Sequence, residues 1–245
     1  MILAAHQPNH IPYPGFFNKV MLSDIFIFTD VHQFGKSGFQ NRNRIRTKNG
    51  WEWMTVPVFT KGRTTQKIIE VIIDNKTNWA KKHWHKLVNN YGPAPFFKNY
   101  APFLEKLYSQ KWESLVELNK TLIFYIFKEL GINTKIELSS NLETPGKRTD
   151  FLINLTLKFG ADTYLSGPGG KGYLEEQKFA DNGIKLVYQE YRPITYRQCF
   201  EPFIPNMAVI DMMFNLGNDQ SREIIMKSSS IYAQSKSNTV NRSLI

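Results

Sequence analysis

Cysteine is nearly absent: Cys199 stands alone in 245 residues. A single thiol excludes an intramolecular disulfide framework and any multi-cysteine zinc or iron–sulfur centre, and it fits a reducing compartment. Long apolar runs are missing too, since no stretch approaches the roughly 18 consecutive apolar residues of a membrane-spanning helix. Met1 leads directly into a short apolar strand pattern, without a basic region or apolar leader, so a cytoplasmic protein is expected. Acids are scarce: 21 Asp and Glu face 31 Lys and Arg, a formal charge of +10. That imbalance asks for an anionic partner, either nucleic acid, an anionic membrane or a phosphorylated small molecule.

What is present is the composition of an ordinary globular protein, with 42% hydrophobic and 21% charged residues. The length suits one large domain with its own core. The positive charge is uneven. Between Gly35 and Lys48 there are five cations and no acid, whereas elsewhere Lys is interspersed with Glu and Asp on expected helix faces.

The chain is organised around its first third. Ile2-Leu-Ala-Ala reads as a buried strand that stops at His6-Gln-Pro-Asn, because Pro8 lacks an N–H and Asn9 favours turns. A helix follows from Gly15 to Ser23, and Ile25-Phe-Ile-Phe-Thr29 is a second strand ending on Asp30. Ligands of open α/β sheets bind beyond the strand ends, so His6, Gln7, Asn9 and Asp30 fall on the expected rim. Trp51–Phe59 and Lys67–Asp74 read as two more strands. Helical spacing then governs Asn78–Asn90, Tyr100–Tyr108 and Trp112–Leu130, an insertion of about residues 75–131. A second strand–helix rhythm follows: strand Thr134–Leu138, helix Thr149–Phe159, strand Thr163–Ser166, helix Leu174–Asp181, strand Lys185–Gln189. Alternation of this kind predicts an α/β fold over residues 1–217, a mostly parallel sheet with helices on both faces. Residues 218–245, rich in Ser, Lys, Asn and Gln, read as a flexible tail docked at most by Ile231 and Tyr232.

Several groups suit chemistry. His6, closing a buried strand, serves either acid–base or phosphate-binding chemistry or a structural hydrogen bond. His83 and His85 are two apart on a helix and read as surface residues. No metal site is expected, because Pro8 and Pro12 keep His6 and His10 off a common helical face. Ser166-Gly167-Pro-Gly169-Gly170-Lys171-Gly172 joins a strand to a helix, the position where backbone N–H groups receive an anion, although it matches neither the Walker nor the dinucleotide pattern. Its other reading is a tight connection that needs glycine. Arg42, Arg44 and Arg46 share one face of an extended segment, as a phosphate clamp or as a charged edge strand. Cys199 reads as a small buried hydrophobe rather than a nucleophile.

His6-Gln-Pro-Asn, Pro12-Tyr13-Pro-Gly-Phe-Phe-Asn-Lys19, Asp30-Val-His-Gln-Phe34, Phe39-Gln-Asn41-Arg42-Asn-Arg44-Ile45 and Trp53-Met-Thr-Val-Pro57 together resemble the WbqC-like family. The likeness continues through Tyr91-Gly-Pro-Ala-Pro-Phe96, Tyr164-Leu-Ser-Gly167, Tyr196-Arg-Gln198 and Ile210-Asp211-Met-Met-Phe-Asn-Leu-Gly217. That family is associated with gene clusters for bacterial O-antigen and other surface polysaccharides. The resemblance implies a transferase that modifies a nucleotide-linked amino sugar, with transfer of glycine or a similar aminoacyl group as its suggested chemistry. It points to His6, Gln7, Asp30, Asn41, Arg42, Arg44, Tyr164, Gly167, Tyr196, Gln198 and Asp211; of these His6 and Asp30 are expected to be catalytic, and Gln7, Asn41, Arg42, Arg44, Tyr164, Tyr196 and Gln198, joined by Asn9 and Tyr13 of the same opening, are expected around the substrate. His10 departs from the aromatic residue expected after Gln-Pro-Asn. The opening is also similar to nucleotidyltransferase-type Rossmann-like domains, which implies ATP with magnesium as a cofactor and an acyl-adenylate intermediate. An acyl-CoA or carrier-dependent N-acyltransferase, a nucleotide-sugar binding protein without catalysis, and a nucleic-acid binder remain as alternatives.

Overall fold

Short strands of this chain are apolar on both faces, and two-sided burial is what a parallel sheet covered by helices requires. The computed structural model describes residues 1–233 and forms that sheet. Its elements in chain order are β1 (Ile2–His6), α1 (Pro14–Met21), β2 (Ile25–Phe28), β3 (Arg42–Thr47), β4 (Gly50–Thr55), α2 (Trp79–Tyr91), α3 (Phe97–Ser109), α4 (Leu115–Glu129), β5 (Lys135–Leu138), α5 (Arg148–Lys158), β6 (Thr163–Ser166), α6 (Glu176–Asp181), β7 (Lys185–Tyr191), α7 (Val209–Lys227) and β8 (Ser229–Ala233). The main sheet has six strands in the order β5-β2-β1-β6-β7-β8, all parallel except the edge strand β8.

Alternation sorts each strand between two cores. Ala4, Phe26, Phe28, Leu165 and Val187 face α1, α7 and the α2–α4 block. Leu3, Ala5, Ile25, Ile27, Tyr164 and Tyr188 face α5 and α6. A shift of one residue would move every one of these side chains to the wrong layer, so the register is strongly specified. The order reverses between β1 and β6, whose chain connections leave in opposite directions along the sheet. That switch point opens a crevice at the carboxyl ends of the strands.

Three expectations are corrected. The strands read at 51–59 and 67–74 do not join the sheet. Gly50–Thr55 pairs instead with Arg42–Thr47 in a separate antiparallel hairpin, and Ile68–Glu70 is a short 3-10 turn with single bridges around it. Pro57 ends the first of these, and the second buries Ile68, Val71 and Ile73 while exposing Ile69 and Ile72, a spacing that does not alternate. The tail does not begin at residue 218. Residues 218–227 complete α7, burying Ser221 and Ile225, and β8 pairs with β7; the remainder of the expected tail, 234–245, lies outside the described residues. His83 is not on the surface: it is buried against Trp79 and Tyr108, with Nε2 3.1 Å from the carbonyl of Thr55. Among the described residues, no helix is long and apolar enough to cross a membrane.

Candidate functional site

A cavity of about 1030 Å³ occupies the switch point. It is built from three strand ends and two helix starts. His6 and Gln7 come from the end of β1, Thr29, Val31, His32 and Gln33 follow β2, and Ser166 to Gly170 follow β6. Tyr13, Gly15, Phe16 and Lys19 come from α1, while Lys147, Arg148, Phe151 and Leu152 belong to the start of α5. In a parallel sheet each helix that follows a strand starts at this rim, so N–H groups and positive dipole ends gather there.

Buried polar groups fix α1 in place. Gln189 of β7 donates to the carbonyl of Gly15 (2.9 Å) and to Asn18 Oδ1 (2.6 Å), and Asn18 Nδ2 donates to the carbonyl of Ile225 in α7 (2.8 Å). The turn after β1 is tied down as firmly. Ile11 takes φ 40°, an uncommon conformation for a β-branched residue. Asn43 Nδ2 holds that turn by donating to the carbonyl of Ile11 (2.6 Å), while Asn119 of α4 donates to the carbonyls of Pro8 (2.8 Å) and Gln40 (2.7 Å).

The charge of the lining is one-sided. Lys19, Lys67, Lys147 and Arg148 line the cavity, and among the described residues no Asp or Glu does. Lys19 is 3% exposed, and burial pushes its amine down to about 7. His6 Nδ1 donates to the carbonyl of Gln7 (2.9 Å), which leaves Nε2 as an acceptor. Burial first, and then the charge of Lys19, push His6 down to about 3, so the ring is neutral at physiological pH. Burial lowers His32 as well, with Asp30 opposing.

The expected site residues divide. His6, Gln7, Tyr13, Tyr164, Ser166, Gly167, Gly169 and Gly170 meet in this cavity. Asn9, Asp30, Asn41, Arg42, Arg44, Lys171, Tyr196 and Gln198 are placed outside its lining. Asp30 is buried and accepts from Ser139 Oγ (2.8 Å), Ser140 N–H (2.9 Å) and Ser140 Oγ (2.7 Å), so it ties the end of β2 to the loop after β5. Asn9 is buried in the turn after β1. Asn41 Nδ2 donates to the carbonyl of Val56 (2.9 Å). Arg42 and Arg44 lie over the rings of Trp53 and Trp51 on the hairpin, 4.5 and 5.3 Å from the centroids. Tyr196 and Gln198 donate to Asp211 (2.6 and 2.8 Å), which also accepts from Tyr91 (2.8 Å). The Lys171 ammonium sits 5.7 Å from the Tyr188 ring centroid. Four cations escaped the sequence reading. Lys19 alone carried a signal, a charge in a short helix whose one other polar side chain is Asn18.

The model of the WbqC-like protein family matches residues 7–223. The chain belongs to that family. This WbqC-like protein is 37% identical over 217 residues to the uncharacterized protein Rv1507c of Mycobacterium tuberculosis (strain ATCC 25618 / H37Rv), a match that covers 88% of the chain and 94% of the relative. No solved structure matches it. The cavity of the WbqC-like protein does not fit a protein-bound magnesium ion. Among the described residues its lining has no carboxylate, and no cluster of three or more His, Cys, Asp or Glu is arranged to hold a metal.

Proposed function

We propose that this WbqC-like protein is a transferase that modifies a nucleotide-linked amino sugar for surface-polysaccharide biosynthesis, forming an amide on the sugar's amine. One observation supports it above the others: a cavity of about 1030 Å³ at the switch point of a parallel sheet, lined, among the described residues, by four cations and no carboxylate. Such a lining favours phosphate-bearing ligands and repels a metal that would need protein carboxylates. In this reading the Ser166–Gly170 turn and the starts of α1 and α5 receive the phosphates, with Lys147 and Arg148 at the mouth. His6, neutral and with Nε2 free to accept, orients the attacking amine by taking a hydrogen bond from its N–H. ATP activates the incoming carboxylate. Its oxygen attacks the α-phosphorus and diphosphate leaves, and then the sugar amine attacks the acyl carbon and AMP leaves.

A thermal-shift panel tests this with ATP, nucleoside-diphosphate amino sugars, coenzyme A and glycine. A ligand at a hundred times its Kd adds about 2.7 kcal/mol of stability, which such an assay detects. Stabilisation by ATP and a nucleotide-sugar, lost in Arg148→Ala, is expected. Stabilisation by coenzyme A without ATP would replace adenylate activation with an acyl-CoA donor. No response to any phosphate-bearing ligand would overturn the proposal.

A further inference from the structure

Among the described residues, Lys19 is the one buried cation of the cavity lining. Its Nζ donates to the carbonyl of Ala5 at 3.0 Å, and among the described residues no carboxylate lies within ion-pair distance of it. An ammonium has three N–H donors, so two remain beyond that bond, with the Phe26 ring centroid 5.9 Å from Nζ. Burying a charge without a counter-charge is costly, and folded proteins retain such a group where a ligand or a reaction uses it.

A second feature points to the ligand. Gly167 borders the amine, since a Cβ there would sit 3.9 Å from Nζ, in ordinary van der Waals contact, and a Cβ on Gly169 would enter open space. The turn after β6 therefore presents bare backbone to the same spot that Lys19 addresses. The other titratable and charged groups of the lining are His6, Tyr13, His32, Lys67, Lys147, Arg148, Tyr164 and Tyr173. All are neutral or positive, so none of them compensates the ammonium.

We propose that Lys19 is the cation that receives the ligand's phosphate beneath Gly167, and that it takes up a proton as the phosphate docks. This rests on the reading of the cavity as a phosphate site. In the empty protein burial holds the amine near 7, so at pH 8 it is mostly neutral. A phosphate dianion within hydrogen-bond reach restores the ammonium. Phosphate binding then has a pH dependence of its own, above the range where the phosphate itself titrates.

The experiment is isothermal titration calorimetry with ATP at pH 8 and pH 9, each in two buffers of different ionisation enthalpy. The expected result is an uptake approaching one proton, an affinity that falls about tenfold per pH unit, and loss of both effects in Lys19→Met. Binding without proton uptake, or an unchanged pH dependence in Lys19→Met, would overturn the role of Lys19 and leave the phosphate cavity standing. If neither ATP nor inorganic diphosphate binds the wild-type protein, both readings fail together. Proton uptake is measured on the unaltered chain, so the test survives a variant that folds poorly.

Discussion

Replacing Lys19 with methionine should make the empty protein more stable, and the gain should shrink as the pH rises. The native amine sits near 7 and the free side chain near 10.5. Between those values the unfolded chain holds a proton that the folded chain has released, so wild-type stability rises with pH across this window. At pH 7 the proton-linked penalty of the buried amine is about 4 kcal/mol, and by pH 9 it has fallen to about 2 kcal/mol. Methionine fills similar volume without charge. Its loss of the bond to the Ala5 carbonyl offsets about 1 kcal/mol. Lys19→Met is thus expected to be about 3 kcal/mol more stable than wild type at pH 7, with about 2 kcal/mol of that advantage gone at pH 9. Urea unfolding of both proteins at pH 7, 8 and 9 measures the difference directly, and other titrating groups cancel in the comparison. A variant less stable than wild type by the same amount at every pH would refute the reasoning, because it would mean that the amine is solvated in the folded state. Stabilisation accompanied by loss of phosphate binding is the usual signature of a site residue held at the expense of stability.

Other perturbations probe the frame around the cavity. His10 and His83 lie buried with ring centroids 5.9 Å apart, and burial pushes them down to about 4 and about 3. Their folded values lie below that of the unfolded chain, so stability present above pH 6.5 is lost as the pH falls toward 4; circular dichroism should give His83→Gln an acid-unfolding midpoint below that of wild type. Asn119→Leu removes three buried hydrogen bonds, to Pro8, Gln40 and His10, and should cost about 3–5 kcal/mol in urea unfolding; a loss under 1 kcal/mol would mean water replaces them. Gly217 breaks α7 with φ 76° and ψ −176°, a region that only glycine enters easily, and a Cβ there would lie 2.9 Å from the Phe96 ring. Gly217→Ala should lower stability by about 2–3 kcal/mol, and a neutral effect in thermal unfolding would show that the kink straightens without penalty.

Local rules carried the reading a long way. Two-sided apolar strands, a proline after His6 and helical spacing from 78 to 130 act over a few residues, and they sufficed to foresee a parallel α/β sheet with His6 and the glycine turn at strand ends. The turn at Ser166–Gly170 was legible because strand and helix flank it directly. The hairpin was not. Arg42 and Arg44 look like a phosphate clamp in one dimension, and the tertiary structure stacks them on Trp53 and Trp51. The serines that hold Asp30 arrive from the loop after β5, more than a hundred residues away, and Asp211 gathers Tyr91, Tyr196 and Gln198 from separate segments. No spacing in the chain announces such meetings.

Sequence alone therefore determined which strands are buried on both faces, that the first of them stops at His6 and that the protein carries an excess of positive charge, because those properties belong to neighbouring residues or to simple sums. Only the tertiary structure decided where that charge acts. The crossovers that place β6 beside β1 bring Lys19, Lys67 and Arg148 around one cavity and keep every Asp and Glu of the described residues out of its lining. That selection depends on strand order, a property of the packed sheet that no local pattern encodes.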